Sequence, residues 1–223
     1  MKKNMLITAG ALALAASAQA ATTIIDGAIR GGDFTDTSLW TAANAGETTQ
    51  FNTNLNSPGS GGRNAVIGSE INGNPNISLA QNTGYTIALG DRFSGSFAWR
   101  DAFGWDTGES IDMTLFYTDT DAIDGARTSL FTFNSGSEVT DVTWETETFA
   151  MTTGADINAA GRTLFISFTG NTIDLDGSNN AQGSFARLDD VSLSVTTVAA
   201  VPEPTSAALL GLGGLTLILR RRK

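Results

Sequence analysis

The stretch SIDMTLFYT (Ser110–Thr118) places an apolar residue at every second position. The residues at these positions are Ile111, Met113, Leu115 and Tyr117. Successive side chains of a β-strand point to opposite faces, so this spacing puts all four on one face. A helix would instead need apolar residues three and four positions apart. The stretch therefore predicts a strand that turns one face towards a core.

The same alternation recurs in three other segments of the chain, and Leu130 and Phe131 sit in a further apolar segment, RTSLFTF. The three alternating segments are Phe93, Phe97 and Trp99 in RFSGSFAWR, Leu164, Ile166 and Phe168 in RTLFISF, and Val191, Leu193 and Val195 in DDVSLSV. Clusters of Gly, Asn and Asp separate them, as at 72–75 and 121–125. We expect an all-β fold for residues 21–200, a jelly-roll-type antiparallel β-sandwich of about eight to ten strands. Single helical turns are expected near 35–42 and 154–160.

Composition excludes several classes of function. The chain has 223 residues with neither cysteine nor histidine, which removes disulfides, Ser-His-Asp catalysis and ordinary zinc sites. Residues 21–200 hold seven arginines and no lysine against 22 acidic residues, a net charge of −15. Because nucleic-acid binding needs basic patches against phosphate, we expect no nucleic-acid partner.

The first twenty residues have the order of a secretory signal peptide. Lys2 and Lys3 form a charged start, Met5–Ala16 an apolar run, and Ala18-Gln19-Ala20 a small-x-small cleavage site. The apolar run is too short to span a bilayer. We expect signal peptidase to cleave before Ala21, so that the body is exported.

The C-terminus has its own three-part order. Val201, Pro202, Glu203 and Pro204 precede an apolar run over 205–219, and Arg220, Arg221, Arg222 and Lys223 close the chain. As a helix, the fifteen apolar residues would cover about 22 Å, against roughly 30 Å for the hydrocarbon core. Thinning of the bilayer and outward reach of the arginines can make up the difference. The run therefore predicts a transmembrane helix whose basic end stays in the cytoplasm.

This order of VPEP, apolar helix and RRRK at the chain end resembles the PEP-CTERM sorting signal. The resemblance covers residues 201–223 and implies recognition by an exosortase-type membrane protease around Pro202, Glu203 and Pro204. The helix would then be a transient membrane anchor, removed as the body passes to the cell surface or extracellular matrix.

The body is similar to a carbohydrate-binding-module jelly roll. The segments that carry the likeness are GGDFTDTSLW, GYTIALGDRFSGSFAW, SIDMTLFYT, GRTLFISF and ARLDDVSLSV. The resemblance implies that the Asp189-Asp190 pair helps to bind a structural calcium ion, to which Asp33, Asp26 and Asp36 on the opening segment could add ligands. The alternative is that Asp190 caps a turn or pairs with Arg187. The acidic loops at 119–125 and 174–180 are better explained as solvated turns.

The stretch WRDAFGWDTGE is the best candidate for contact with a glycan. Trp105 could stack on a sugar ring while Arg100, Asp101 and Asp106 hydrogen-bond its hydroxyls. Trp99 ends an alternating strand and is expected in the core. Trp144 alternates with Glu145 and Glu147, and its side chain is also expected to face the core.

Glu145 and Glu147 lie two positions apart on a predicted strand, about 6 to 7 Å from each other on one face. That separation is near those used in glycoside hydrolysis, but solvent-facing acids on any strand share it. We therefore expect no enzymatic activity, and an exported surface protein associated with glycan or exopolysaccharide. A purely structural surface protein and a carboxylate-dependent glycoside hydrolase are the alternatives.

Overall fold

A computed structural model describes residues 20–53, 56–68, 76–102, 108–136, 143–171 and 185–197. The expected signal cleavage motif at Ala18, the sorting motif, the C-terminal helix, and Trp105 and Asp106 lie outside these ranges. Of the helical structure that is described, nothing has the length and apolar character needed to cross a membrane.

The described residues form ten strands and one 3-10 turn at Thr37–Leu39. The strands are β1 (Thr22–Ile25), β2 (Phe51–Thr53), β3 (Arg63–Gly68), β4 (Leu79–Thr86), β5 (Arg92–Asp101), β6 (Ser110–Thr118), β7 (Arg127–Asn134), β8 (Glu145–Ala150), β9 (Thr163–Asn171) and β10 (Phe185–Thr196). The fold is therefore all-β, as the alternating segments predict.

Two antiparallel sheets make the sandwich. The first has the order β2-β3-β10-β5-β8, and the second has the order β4-β9-β6-β7. The long strand β10 is central to the first sheet, since β5 pairs along one of its edges. On the other edge β3 pairs with the first part of β10, and β1 pairs with the last part.

The alternating residues meet in the core between the sheets. Ile111, Met113 and Leu115 of β6 are fully buried, whereas Tyr117 is only partly buried. Phe97 of the first sheet packs edge-on against Phe168 of the second at 5.3 Å between ring centroids. Fully burying each such side chain stabilises the fold by roughly 1.5–3 kcal/mol. The core expectation for Trp99 is confirmed, with 1% of its surface exposed.

Both expected helical turns fall where the sequence places them. In the 3-10 turn, the carboxylate of Asp36 accepts a hydrogen bond from the backbone N–H of Ser38 at 3.0 Å. Near 154–160, Asp156 caps a hydrogen-bonded turn by accepting the N–H groups of Asn158 and Ala159, each at 3.0 Å.

The two ends of the described chain leave the sandwich side by side. Thr22 of β1 pairs with Val195 of β10, and Arg92 of β5 pairs with Thr196. We call this end the terminal pole. Strand β5 runs from there to Asp101 at the other end, the distal pole, about 30 Å away.

Candidate functional site

Arg100 and Asp101, the two expected glycan contacts that are described, lie at the distal pole but on opposite faces of β5. Asp101 pairs with Ala186, a core residue, and only 5% of its surface is exposed. Arg100 follows the buried Trp99, so its side chain lies on the outer face of the sheet, where it is partly exposed. Sequence adjacency therefore does not bring these two side chains together.

Three residues form a row across the outer face of the first sheet. Arg187 of β10 is the direct partner of Arg100 on β5. Trp144 directly precedes β8 and lies on the other side of Arg100, whose guanidinium carbon is 5.5 Å from the centroid of the indole ring. We call Trp144, Arg100 and Arg187 the arginine row.

The position of Trp144 corrects the sequence interpretation, which placed it in the core. Phe149 of β8 is the residue that enters the core, where its ring lies 6.2 Å from that of Phe133. Glu147 and Glu145 have the same parity as Phe149, so Trp144 must face outwards. Trp144 is half-buried against the outer face, where its ring contacts Arg100.

Arg187 is held in place by its neighbours on the outer face. The carboxamide of Asn52, oriented with its oxygen towards Arg187, accepts hydrogen bonds from both terminal guanidinium nitrogens. Burial lowers the pKa of Arg187, and the positive charge of Arg100 lowers it further. The group nevertheless remains charged near neutral pH. Arg187 and Arg100 thus bring two positive charges to directly opposed positions on neighbouring strands.

A second polar cluster lies next to the row, beneath the loop that precedes β3. Asp189 is fully buried and accepts the N–H groups of Gly59 at 3.0 Å and Asp190 at 2.8 Å. Asp33 is also buried; its carboxylate accepts the N–H and hydroxyl of Thr35 and the hydroxyl of Ser60. Gly59 and Ser60 therefore link the loop that follows β1 to strand β10 through these two carboxylates.

The two buried carboxylates differ in their ease of ionisation. Burial raises the pKa of Asp189 to about 6 despite the N–H groups of Asp190 and Gly59, and the charges of Asp190 and Asp33 add to the rise. Burial also opposes ionisation of Asp33, but hydrogen bonds from Ser60 and Thr35 outweigh it and hold the pKa of Asp33 below its usual value.

The carboxylates expected to bind calcium are only partly brought together. Asp26 uses its carboxylate within its own loop, where it accepts the N–H groups of Ala28 and Ile29. Asp190 is exposed and has a φ of 49° at an irregularity in β10. In the part of the chain that the structure describes, no three acidic side chains form a group that could hold a metal ion. Calcium needs six to eight oxygen ligands, so the calcium site stays a prediction.

Other acidic residues singled out by the sequence serve turns or face solvent. Asp119 accepts the N–H of Ala126 at 3.0 Å, and Asp121 accepts the N–H of Thr163 at 2.9 Å. Glu145 is exposed on β8, which among the described strands is paired on one side only. The acidic loop at 174–180 lies outside the described residues.

Arg187 is a residue of the candidate site that the sequence does not indicate. It is 87 positions beyond Arg100 in the chain, and only the pairing of β5 with β10 makes them neighbours. No pattern of neighbouring residues in the sequence predicts that β5 pairs with β10 in this register. The outward position of Trp144, by contrast, can be predicted from Phe149. The two residues are five positions apart, so a strand that turns Phe149 towards the core turns Trp144 to the outer face.

Solved structures with a similar fold share little sequence with the chain. A cyclase from Fischerella sp. TAU aligns with a TM-score of 0.54 at 16% identity, covering 81% of this chain and all of the cyclase. The N-terminal CBM22-1-CBM22-2 tandem domain of Paenibacillus barcinonensis Xyn10C aligns with a TM-score of 0.50 at 14% identity, covering 85% of this chain and 49% of the tandem. At these identities the likeness establishes the sandwich fold and leaves activity open. No curated protein matches the chain in sequence.

The C-terminal segment gives the more specific match. Residues 200–223 match the family model of the PEP-CTERM protein-sorting motif, which confirms the resemblance of the C-terminal segment to that signal. This motif is a substrate signal for exosortase and implies export. The chain is a β-sandwich protein with a PEP-CTERM signal that sorts it to the cell surface.

Proposed function

We propose that this protein is a non-catalytic, glycan-binding component of the cell surface and its exopolysaccharide. In this proposal signal peptidase removes residues 1–20, and the helix at 205–219 anchors the body in the membrane until an exosortase cuts near Val201–Pro204. The distal pole then carries the binding surface away from the membrane. The arginine row is the observation that supports glycan binding most directly.

The row combines the two kinds of group that sugars require. The C–H faces of a sugar ring stack on a flat aromatic side chain such as Trp144, and the guanidinium groups of Arg100 and Arg187 can donate hydrogen bonds to hydroxyls. All three lie on paired strands or directly beside one, so little conformational freedom is lost on binding. Trp105 and Asp106 stay predicted contacts in the segment that follows β5.

The proposal assigns no catalytic role to Glu145 and Glu147. A hydrolytic pair needs a cleft that raises the pKa of one carboxyl group, whereas Glu145 is exposed to solvent. Release of reducing sugar from a bound polysaccharide, lost on Glu147→Gln, would contradict the non-catalytic assignment.

The first test is a Trp144→Ala substitution in the full chain, purified in mild detergent. Loss of a stacking residue should weaken binding to a retained polysaccharide by about tenfold, measured by affinity electrophoresis over a panel of neutral and acidic polymers. Leu89→Ala is the matched control, since Leu89 is a 59% exposed apolar residue near the terminal pole. Binding to no polymer in the panel would favour the structural alternative.

A further inference from the structure

We propose that the terminal pole docks on the surface of a lipid bilayer through the apolar side chains of Leu89 and Ile157. The inference rests on one part of the proposed function, insertion of the tail at 205–219 in the membrane, and adds a second contact between the body and the lipid. It is carried by the exposure of these two side chains, by the packing of their loops, and by the short chain that leads from this pole to the tail.

Leu89 and Ile157 are the two most exposed large apolar side chains of the described residues, with 59% and 71% of their surfaces open to solvent. The third, Ile29, is 45% exposed and lies on the loop after β1. A single exposed apolar side chain is ordinary on a protein surface. Two of them at the same pole, on loops that touch, form an apolar surface that a lipid interface would remove from water.

Leu89 lies at the tip of a tight turn between β4 and β5. Asp91 donates its backbone N–H to the carbonyl of Ala88 at 3.1 Å, and its buried carboxylate accepts the N–H of Ala88 at 2.7 Å. Gly90, the residue after Leu89, has a φ of 84°, which glycine adopts without strain. The turn therefore closes over residues 88–91, and the side chain at its tip points into solvent.

Ile157 lies on the neighbouring loop, between β8 and β9, two residues after Ala155. Gly90 donates its N–H to the carbonyl of Ala155 at 2.8 Å, so the two loops are joined main chain to main chain. A Cβ added at Gly154 would lie 2.6 Å from the carbonyl oxygen of Gly90, which shows how closely the loops pack. Leu89 and Ile157 thus lie one and two residues from the same hydrogen bond.

The chain leaves the sandwich beside these loops. Thr196, the last residue of β10, pairs with Arg92, which is three positions after Leu89 and at most about 11 Å from it along the chain. Seven residues, 198–204, then lead to the apolar run, a span of at most about 25 Å. An inserted tail would keep this pole at a high effective concentration beside the lipid, so that a small apolar contact suffices to dock it.

The charges of this pole indicate that the contact is apolar and not electrostatic. Arg92 is exposed, but the loop between β6 and β7 brings three exposed acids to the same end, Asp119, Asp121 and Asp124. Asp121 accepts the N–H of Thr163 at the start of β9, which places this loop beside the one that holds Ile157. Because the acids offset the arginine, docking should depend little on salt.

The test uses the absence of cysteine from the chain, which allows a label at one chosen position. The full chain with Leu89→Cys, Ile157→Cys or Thr146→Cys carries an environment-sensitive fluorophore and is reconstituted into neutral phosphatidylcholine vesicles. Thr146 is the matched control, since it is exposed on β8 towards the distal pole. We expect labels at 89 and 157 to show the shorter emission wavelength and longer lifetime of a lipid environment at low and high salt, and the label at 146 to stay in water.

A second substitution measures how much the partner side chain contributes. With the label at 89, Ile157→Ser should lower the ratio of lipid-contacting to water-exposed label by about tenfold, because it removes most of the apolar contact of that side chain. Ile157→Leu keeps the apolar surface and should leave the ratio nearly unchanged. A ratio that is the same for Ser and Leu would overturn the inference.

Flotation of the vesicles reports insertion of the tail separately from the labels. If the chain floats with the vesicles while the labels at 89 and 157 stay as exposed to water as the label at 146, the inference is overturned and the proposed anchor stands. A shift that appears only at a high ratio of protein to lipid would identify a second copy of the chain as the occupant and would also overturn it. Failure of the wild-type chain to float would remove the inference together with the proposed anchor.

Discussion

Asp189 shows how one residue couples the stability of this fold to pH. It is fully buried, and its pKa is raised from 3.8 to about 6 chiefly by burial. The folded protein therefore holds a proton more tightly than the unfolded chain between these two pH values. The stabilisation is fully present below about pH 4 and is lost as pH rises through about 6, a change of up to about 3 kcal/mol.

This dependence is measured as the free energy of unfolding in urea from pH 4 to pH 7, with chelator, for the wild type and Asp189→Asn. We expect the difference between the two to shrink as pH rises, because the amide cannot ionise. A difference that stays constant with pH would contradict the assignment. Repeating the series with calcium tests the metal prediction: calcium should raise wild-type stability at pH 7, and the variant should lose that gain.

At the scale of elements, the irregularity in β10 decides how three segments meet. The register of β10 against β5 shifts between Asp189 and Ser192. Gly32 of the loop after β1 accepts the N–H of Val191 at 2.9 Å, and Gly95 of β5 lies against the carbonyl of Ser192. In both contacts the main chains of two segments touch directly, which is possible because Gly32 and Gly95 carry no side chain.

Gly95→Ala should therefore destabilise the protein. An added Cβ would lie 2.0 Å from the carbonyl oxygen of Ser192 and 2.8 Å from the ring of Phe149, so β5 or β10 would have to move. We expect a loss of about 1–3 kcal/mol or more in unfolding free energy, measured in urea. Ser94→Ala, next to it on β5 and partly exposed, should cost much less. Equal losses of unfolding free energy in the two variants would contradict this prediction, since they would show that β10 moves away from the added Cβ at little cost.

The same elements show what could be read from the sequence. Strands β6, β9 and β10 were recognisable because their alternating residues pack into one core. The pairing of β1 and β3 on a single edge of β10 was not, since it depends on contacts between segments far apart in the chain. Arg187 belongs to the candidate site through such a long-range pairing, that of β10 with β5. Asp101 does not belong to it, because adjacent residues of a strand face opposite sides of the sheet.

For the whole molecule, the described chain ends would place both proposed processing events at one pole. Thr22 pairs with Val195, so the proposed cleavage site before Ala21 and the chain leading to the sorting motif extend from neighbouring strands. Only seven residues, 198–204, separate the last described residue from the apolar run, a span of at most about 25 Å. In the proposed membrane-anchored state, this length would hold the terminal pole near the membrane. The arginine row lies about 27 Å further along β5.

This arrangement leads to a prediction about the surface form. We expect mass spectrometry of protein released from the cell surface to show an N-terminus at Ala21 and a C-terminus between Val201 and Pro204. From the sequence alone, the two prolines of this stretch are expected to stop a helix from continuing into the body and to favour an extended segment that a protease can bind. Glu203→Gln tests the motif without adding bulk, and it should leave uncut protein in the membrane fraction.

The matched control is a change in the body that leaves the motif intact, such as Arg92→Gln, which should be cut and released like the wild type. If the wild-type protein at the cell surface kept RRRK at its end, the tail would act as a lasting membrane anchor and exosortase would not process it. Since the terminal pole would then stay at the membrane, glycan binding at the distal pole would tether the cell itself to its polysaccharide. Cleavage instead transfers that contact to a protein separated from the membrane.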